Sequence, residues 1–302
     1  MPDLERRLVV LDAPSNLGLR PPAQGSVPGC DKAPGVLRDA GLLPRVNATD
    51  GGVVTAGRYR AGQREGEVRN EAAIIDHSRR LADRLLALPE HSVAVVLGGD
   101  CSILVGIALA LRRRGRFGLV SLDGLDYRHP GNSGSVGAAG GENLALVTGR
   151  GWGLADIDGQ RPYLRAADVV AIGPRPDDEY AVEAAGDGIL VLDSDAVAAD
   201  AAAVARRAVE VVDRPDLDGF WVHLDADVLD PTVMPAVDSP EPGGLTFEQL
   251  AAVLRPLVAS PRMVGIDLTI YDPDLDPGFR FGHRLADLLV DVLAEVSADS
   301  RA

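Results

Sequence analysis

Apolar, β-branched runs recur along the chain between longer stretches in which apolar residues return every three or four positions. These are the signatures of buried strands and amphipathic helices. The strand-like runs are Leu8 to Leu11, Ser92 to Leu97, Phe117 to Leu122, Asp168 to Ile172, Gly188 to Leu192, Gly219 to Leu224 and Met263 to Leu268, with a weaker one near Gly52 to Thr55. Helical stretches read Ala33 to Ala40, Glu71 to Leu88, Ser102 to Arg114, Ser194 to Val212, Phe247 to Val258 and Arg284 to Val296. Strand and helix alternate about eight times, a rhythm that needs crossover connections and therefore a mostly parallel sheet with helices on both faces. Near-continuous apolar strands fit burial on both sides. The expected fold class is α/β, a three-layer α/β/α arrangement around a mostly parallel sheet of about eight strands. Asp126 to Glu142, rich in glycine, reads as a long loop over the strand ends, and residues 1–302 read as a single domain.

Three strand ends carry candidate chemistry. Trp221-Val-His-Leu-Asp-Ala-Asp-Val-Leu-Asp-Pro231 closes an apolar strand in carboxylates, and Pro235 and Pro240-Glu-Pro-Gly-Gly-Leu245 follow. Alternation places His223, Asp225 and Asp227 on one strand face and Val222, Leu224 and Ala226 on the other, near a strand end where open α/β sheets hold ligands. Carboxylates so close repel unless a cation or a shared proton neutralises them, and a hard cation such as Mn²⁺ or Mg²⁺ suits them. Asp-rich strand ends also make turns and helix caps, which is the reading given to Asp230-Pro231. Val95-Val-Leu-Gly-Gly-Asp-Cys-Ser-Ile-Leu104 is strand, glycine turn and helix start. Cys101 there is a metal ligand, a nucleophile or a small buried filler. Ser102 reads as an N-cap, because no G-x-S-x-G elbow surrounds it. In Leu119-Val-Ser-Leu-Asp-Gly-Leu-Asp-Tyr-Arg-His-Pro130 the two aspartates, Asp123 and Asp126, reach one site only if the chain leaves strand geometry at Gly124. His129, next to a proline, reads first as a structural or solvated histidine.

Charge narrows the classes of partner. Asp and Glu outnumber Lys and Arg by 45 to 30, a net charge of −15. Nucleic acid and anionic membrane surfaces reward clustered positive charge and are thereby disfavoured, whereas a cationic small molecule is mildly favoured. No apolar run approaches the roughly 20 residues of a membrane span, and Met1 to Arg7 lacks a signal-peptide core. The expected location is cytoplasmic. Two cysteines, Cys30 and Cys101, imply no disulfide framework.

The three segments, in this order and spacing, resemble the arginase and agmatinase (ureohydrolase) family. The resemblance extends to Pro34-Gly-Val-Leu-Arg-Asp-Ala-Gly-Leu42, which looks like its P-x-x-L-R-x-A-G-L, and to Gly243-Gly-Leu245 with Glu248, similar to G-G-L-T-x-x-E. It implies an arginase-like fold, a homo-oligomer and a metal-activated hydroxide that attacks a guanidinium carbon between two Mn²⁺ ions. Carried over to this chain, it makes Asp225 the bridging ligand, with Asp227 its D-x-D partner. Cys101 stands where the family places a histidine, which opens the site to softer ions such as Zn²⁺ or Fe²⁺. Where the family reads D-A-H-x-D, this chain has Asp123-Gly-Leu-Asp126. A one-residue gap keeps both carboxylates but removes the histidine. One ion then fits better than two, held by Cys101, Asp123, Asp126 and Asp225, while Asp123, Asp225 and Asp227 remain for the other unless His223 or His129 swings in.

The resemblance also assigns further roles. His223 is expected beside the ligands rather than among them, and Glu142 falls near the family's proton-shuttling histidine. The glutamate that pairs with guanidinium is replaced by Ile270 in Asp267-Leu-Thr-Ile-Tyr-Asp-Pro273, and an unpaired cation there costs several kcal/mol. That argues against arginine and agmatine as substrates. Asp267, Thr269 and Tyr271, on one face if the strand persists, become alternative substrate contacts with Asp272, and His129 is added from the loop. Two readings result: a hydrolase of a non-peptide C–N bond in a guanidine, amidine or related amide, or a metal-poor relative that binds or regulates or runs other chemistry in the cleft.

Overall fold

The computed structural model describes residues 6–64 and 66–298, so most of the segment from Met1 to Arg7 lies outside the described residues. Eight strands form one sheet: β1 (Arg7–Ala13), β2 (Thr49–Val53), β3 (Ser92–Gly98), β4 (Gly118–Leu122), β5 (Val169–Ile172), β6 (Leu190–Leu192), β7 (Phe220–Asp225) and β8 (Met263–Thr269). Their order is β2-β1-β3-β8-β7-β4-β5-β6, and every pairing is parallel. The late strands β7 and β8 thus fill the gap between β3 and β4, and all four leave the sheet at the same edge. Among the described residues, no helix is long and apolar enough to cross a membrane.

Nine helices flank the sheet among the described residues: α1 (Ala33–Asp39), α2 (Leu42–Arg45), α3 (Glu71–Leu86), α4 (Ile103–Arg114), α5 (Asn143–Val147), α6 (Ala181–Gly186), α7 (Ser194–Val212), α8 (Phe247–Ala259) and α9 (Arg280–Ala298). Two apolar cores result, one per sheet face. Val222, Leu224, Leu254 and Leu289 belong to the first, with α1, α7, α8 and α9. Trp221, Leu81 and Leu104 belong to the second, with α3 and α4. Each fully buried aliphatic side chain contributes about 1.5–3 kcal/mol relative to exposure, which is why strands apolar on both faces settle in mid-sheet.

Three local departures from the sequence reading have simple causes. The weak second strand lies at 49–53, not at 52–55, because as an edge strand it has no apolar run to mark it. Helix α7 breaks at Asp200, whose extended φ of −160° is followed by its carboxylate accepting from Ala203 N at 2.9 Å. It thereby caps the second half as Asp193 caps the first, accepting from Ala196 N at 2.8 Å. Helix α9 starts a turn earlier than the apolar pattern, since Asp276 accepts from Phe281 N and Gly282 N at 2.8 and 3.1 Å.

Candidate metal centre

The turn after β3 is built to hold one side chain in place. A Cβ on Gly99 would lie 1.7 Å from the Ser15 carbonyl oxygen, so only glycine permits this backbone approach. Ser15 Oγ donates to Asp100 Oδ2 at 2.7 Å, and Ser102 N donates to Asp100 Oδ1 at 2.8 Å. Asp100, not the Ser102 hydroxyl, therefore organises the start of α4; Ser102 sits at the cap position without a capping side-chain bond. Cys101 is presented fully buried beneath the strand ends. Its Sγ donates to Asp225 Oδ2 at 2.7 Å and lies 3.0 Å from Thr269 Oγ1. Burial first, then the charges of Asp225, Asp123 and Asp126, push this thiol well above its ordinary pKa. Without a cation it is a thiol, not the thiolate that a helix start alone would favour.

Strands β7 and β8 supply a polar ladder on the α3/α4 face. Their register pairs His223 with Asp267 and Asp225 with Thr269. Asp267 accepts from Trp221 Nε1 through one oxygen and bonds His223 Nδ1 through the other, both at 2.6 Å. Trp221 can lie across the sheet because residue 265 is glycine; a Cβ there would meet its ring at 2.2 Å. With Nδ1 committed to a carboxylate, His223 turns Nε2 toward Asp123 Oδ2 at 3.7 Å, where that buried atom has no hydrogen-bond partner. Burial alone would lower the pKa of His223; the adjoining Asp267 and Asp123 carboxylates outweigh it and push it up to about 10.

Beyond β4 the chain leaves strand geometry, with the left-handed φ at Leu125 (74°) in place of Gly124. Leu125 is 3% exposed and packs into the core, while Asp126 returns toward the site. Asn143 Nδ2 donates to Asp126 Oδ2 at 2.6 Å and reaches Asp123 Oδ2 at 3.4 Å. Asp227 is not on the strand face expected for it, because β7 ends at Asp225 and residues 226–228 form a 3₁₀ turn. Its N–H donates to Asp225 Oδ1 at 2.8 Å, and its own Oδ1 is buried without a partner. Asp225, Asp227 and Asp126 are all pushed well above the usual carboxylate range, by burial first and then by one another and Asp123.

Cys101, Asp123, His223 and Asp225 each offer one ligand atom within 4.8 Å of the others. Asp126 and Asp227 stand outside this tight group, in the wall of a cavity of about 810 Å³ that also meets Asp123, Asp225, Ile270 and Asp272. The donor chemistry fits a cation: buried anionic groups, two unpartnered polar atoms and, among the described residues, no Lys or Arg bonded to these carboxylates.

Other expected contacts lie elsewhere. Glu142 accepts from Gly137 N, Ala138 N and Trp152 Nε1, organising the loop, and the neighbouring Asn143 is what reaches the site. His129 pairs with Glu183 at 3.0 Å. Thr269 ends β8, and Ile270 then turns with φ of 70°, so the shared face stops there. Asp267 lies beneath the sheet ends holding Trp221 and His223, and Tyr271 donates to Asp276 at 2.9 Å at the start of α9. Asp272 does border the cavity, with its oxygens accepting from Gly29 N and Asp274 N. Asp238, from the proline-rich segment, joins it there unanticipated. Although the residue is exposed at the rim, desolvation of its carboxyl, with Asp100, Asp272 and Asp123 nearby, pushes it up to about 6.

This arrangement has counterparts. The curated arginase of Staphylococcus aureus (strain MRSA252) is 27% identical over 268 residues, covering 82% of this chain and 86% of that protein. The solved arginase of Bacillus caldovelox superposes with a TM-score of 0.84 at 24% identity, over 98% of this chain and 100% of that one. The formimidoylglutamase of Bacillus subtilis superposes with a TM-score of 0.75 at 19% identity, over 98% and 89%. A sequence model of the arginase family matches residues 7–296, and with the all-parallel eight-stranded sheet and a buried cluster of potential metal ligands at its edge, the chain belongs to the arginase family.

Proposed function

We propose that this chain is a metal-dependent hydrolase of a non-peptide C–N bond in a guanidine, amidine or related amide. One observation carries the reading: four ligand atoms of Cys101, Asp123, His223 and Asp225 lie within 4.8 Å of one another, and two of these residues, Asp123 and Asp225, also line the cavity. A bound divalent cation would supply a water of lowered pKa and polarise the carbon under attack. The protein's own groups do the rest. Asp123 and Asp225 hold the cation where it meets the cavity. Asp227 Oδ1, buried and unpartnered, takes the proton released from water and returns it to the departing amine. Asn143, buried behind the wall, donates to Asp126 and fixes that carboxylate where it lines the cavity.

Substrate choice rests on the cavity wall. Ile270 gives it an apolar patch, and Asp238 and Asp272 offer carboxylates for a cationic group. The expectation against arginine and agmatine receives no support from the comparisons, since the relatives include proteins named arginase. Arginine, agmatine and formimino compounds therefore belong on one assay panel, run with Mn²⁺, Zn²⁺ and Fe²⁺ and read by release of urea or ammonia. Metal-dependent turnover of one panel member is expected. No turnover with any ion, together with no bound metal by elemental analysis, would sink the reading.

A second reading has its own support. A protonated His223 between Asp123 and Asp267 is a built-in cation, and it would neutralise the cluster in a metal-poor binding protein. Failure of the protein to take up any ion would favour that alternative.

A further inference from the structure

The metal reading leaves one gap. The turn after β4, Asp123-Gly-Leu-Asp126, supplies no nitrogen donor, and its Leu125 side chain is packed into the core. We infer that His223 of the neighbouring strand β7 supplies the missing nitrogen through Nε2, completing a single Cys101–Asp123–His223–Asp225 site that selects Zn²⁺ or Fe²⁺ over Mn²⁺. The inference rests on the metallohydrolase reading and makes His223 a ligand, where the sequence placed it beside the ligands.

Geometry carries it. His223 is 0% exposed, and its Nε2 has no hydrogen-bond partner, although a buried ring nitrogen normally has one. It is aimed at the ligand cluster, 3.7 Å from Asp123 Oδ2. Ligands at about 2.0–2.3 Å from a tetrahedral ion stand about 3.3–3.8 Å apart, so this pair already has the required separation. The Cys101 Sγ to Asp225 Oδ2 distance of 2.7 Å is that of a shared proton; it opens by about 1 Å when an ion replaces the proton. Asp267 supplies the remaining support. By accepting from Nδ1 it leaves Nε2 as the nitrogen that gives up its proton to a metal, the usual carboxylate–histidine–metal relay. Trp221 holds the other oxygen of that carboxylate, so the relay is rigid.

Register explains how a strand residue can replace a loop residue. Ser121 of β4 is paired with His223 of β7, which brings the imidazole beside the end of β4, where Asp123 turns into the cavity. The donor set, a thiolate, an imidazole and two carboxylates, is softer than an all-carboxylate set and matches Zn²⁺ or Fe²⁺ better than Mn²⁺.

The test uses the full chain stripped of metal and reloaded. Competition dialysis of Zn²⁺ against Mn²⁺ should give one equivalent of Zn²⁺, and X-ray absorption on that wild-type protein should show one sulfur and one imidazole. His223→Gln should weaken Zn²⁺ binding by more than about 100-fold and Asp267→Asn by about 10–100-fold, with circular dichroism checking that both variants fold. The absorption measurement needs no variant and stands if they do not. Zinc bound with no imidazole signature, or Zn²⁺ affinity unchanged in a folded His223→Gln, would overturn the ligand assignment while leaving the hydrolase reading intact. Two equivalents of Mn²⁺ in preference to Zn²⁺ would overturn the softer single site. A wild-type protein that takes up no ion at all would remove the hydrolase reading, and this inference with it.

Discussion

Two buried aspartate sites at opposite edges of the sheet solve the same electrostatic problem differently. At the start of β5, Asp168 is fully buried and held by arginines: Arg116 Nε and Nη2 donate to its two oxygens at 2.8 and 2.9 Å, and Arg214 adds a third bond. At the far edge, Asp123 and Asp225 gather around Cys101, Asp227 is bonded to Asp225, and among the described residues no arginine or lysine is bonded to any of these three carboxylates. A fold that can supply guanidinium groups to one buried acid withholds them from three others. Uncompensated carboxylates are costly, so their neutralisation comes from protons, from His223 or from a cation. The first site is complete as it stands; the second is complete only with something added.

The sharpest way to break this comparison is Asp225→Asn. It should abolish metal uptake and, by removing several kcal/mol of transition-state stabilisation, lower kcat/KM by at least about a thousandfold. In the metal-free state the same variant should melt at or above the wild-type temperature, because it removes a repelled charge. A loss of melting temperature without loss of metal would mean that Asp225 is structural, like Asp168.

pH offers a second contrast. In metal-free protein Asp225, Asp227 and Asp126 hold their protons more tightly folded than unfolded. Their stabilisation is present at low pH and lost as pH rises past the unfolded carboxylate value of about 4. His223, raised from 6.5 to about 10, acts with the same sign: its contribution is full below about 6.5 and gone above about 10. The metal-free protein should therefore lose stability, on the order of a few kcal/mol, as pH rises from about 6.5 to 10. With metal the trend should reverse at the acid end, since ligation requires the ligands to shed their protons. Thermal melts with and without chelator would show it; two superimposable pH profiles would contradict the metal reading.

Smaller effects sharpen the other half. Asp168→Asn should cost about 1–3 kcal/mol and leave metal uptake unchanged. That is less than a fully enclosed pair would lose, because both arginines are 33% exposed and partly screened. Urea denaturation beside metal titration would check it. Smallest of all, Glu142→Gln keeps an acceptor for the loop N–H groups and should cost under about 1 kcal/mol with kcat/KM unchanged. A large drop in kcat with stability intact would restore Glu142 as a proton carrier.

Much of this was legible in the sequence for physical reasons. Mid-sheet strands announce themselves because burial on both faces demands apolar runs, and the edge strand β2 does not because it is half-solvated. Asp225, Asp123 and Cys101 could be read from carboxylates and a thiol at strand ends. His223 could be placed on the right face but not given its partners, since its bond to Asp267 depends on the β7–β8 register across 44 residues. Asn143 was missed because its loop has no periodicity to align. Tyr271 was misplaced because alternation was extended past Thr269, where a left-handed turn at Ile270 ends it.

The indole of Trp221 shares its carboxylate with His223, and this ties an optical property of the chain to its chemistry. Only two tryptophans exist in the sequence, and the other, Trp152, is bonded to Glu142 in the loop. With Trp152→Phe, ultraviolet emission would come from a single ring one carboxylate away from the imidazole. Any change in charge at that imidazole, whether a proton leaving or an ion arriving, should alter the colour or intensity of that emission.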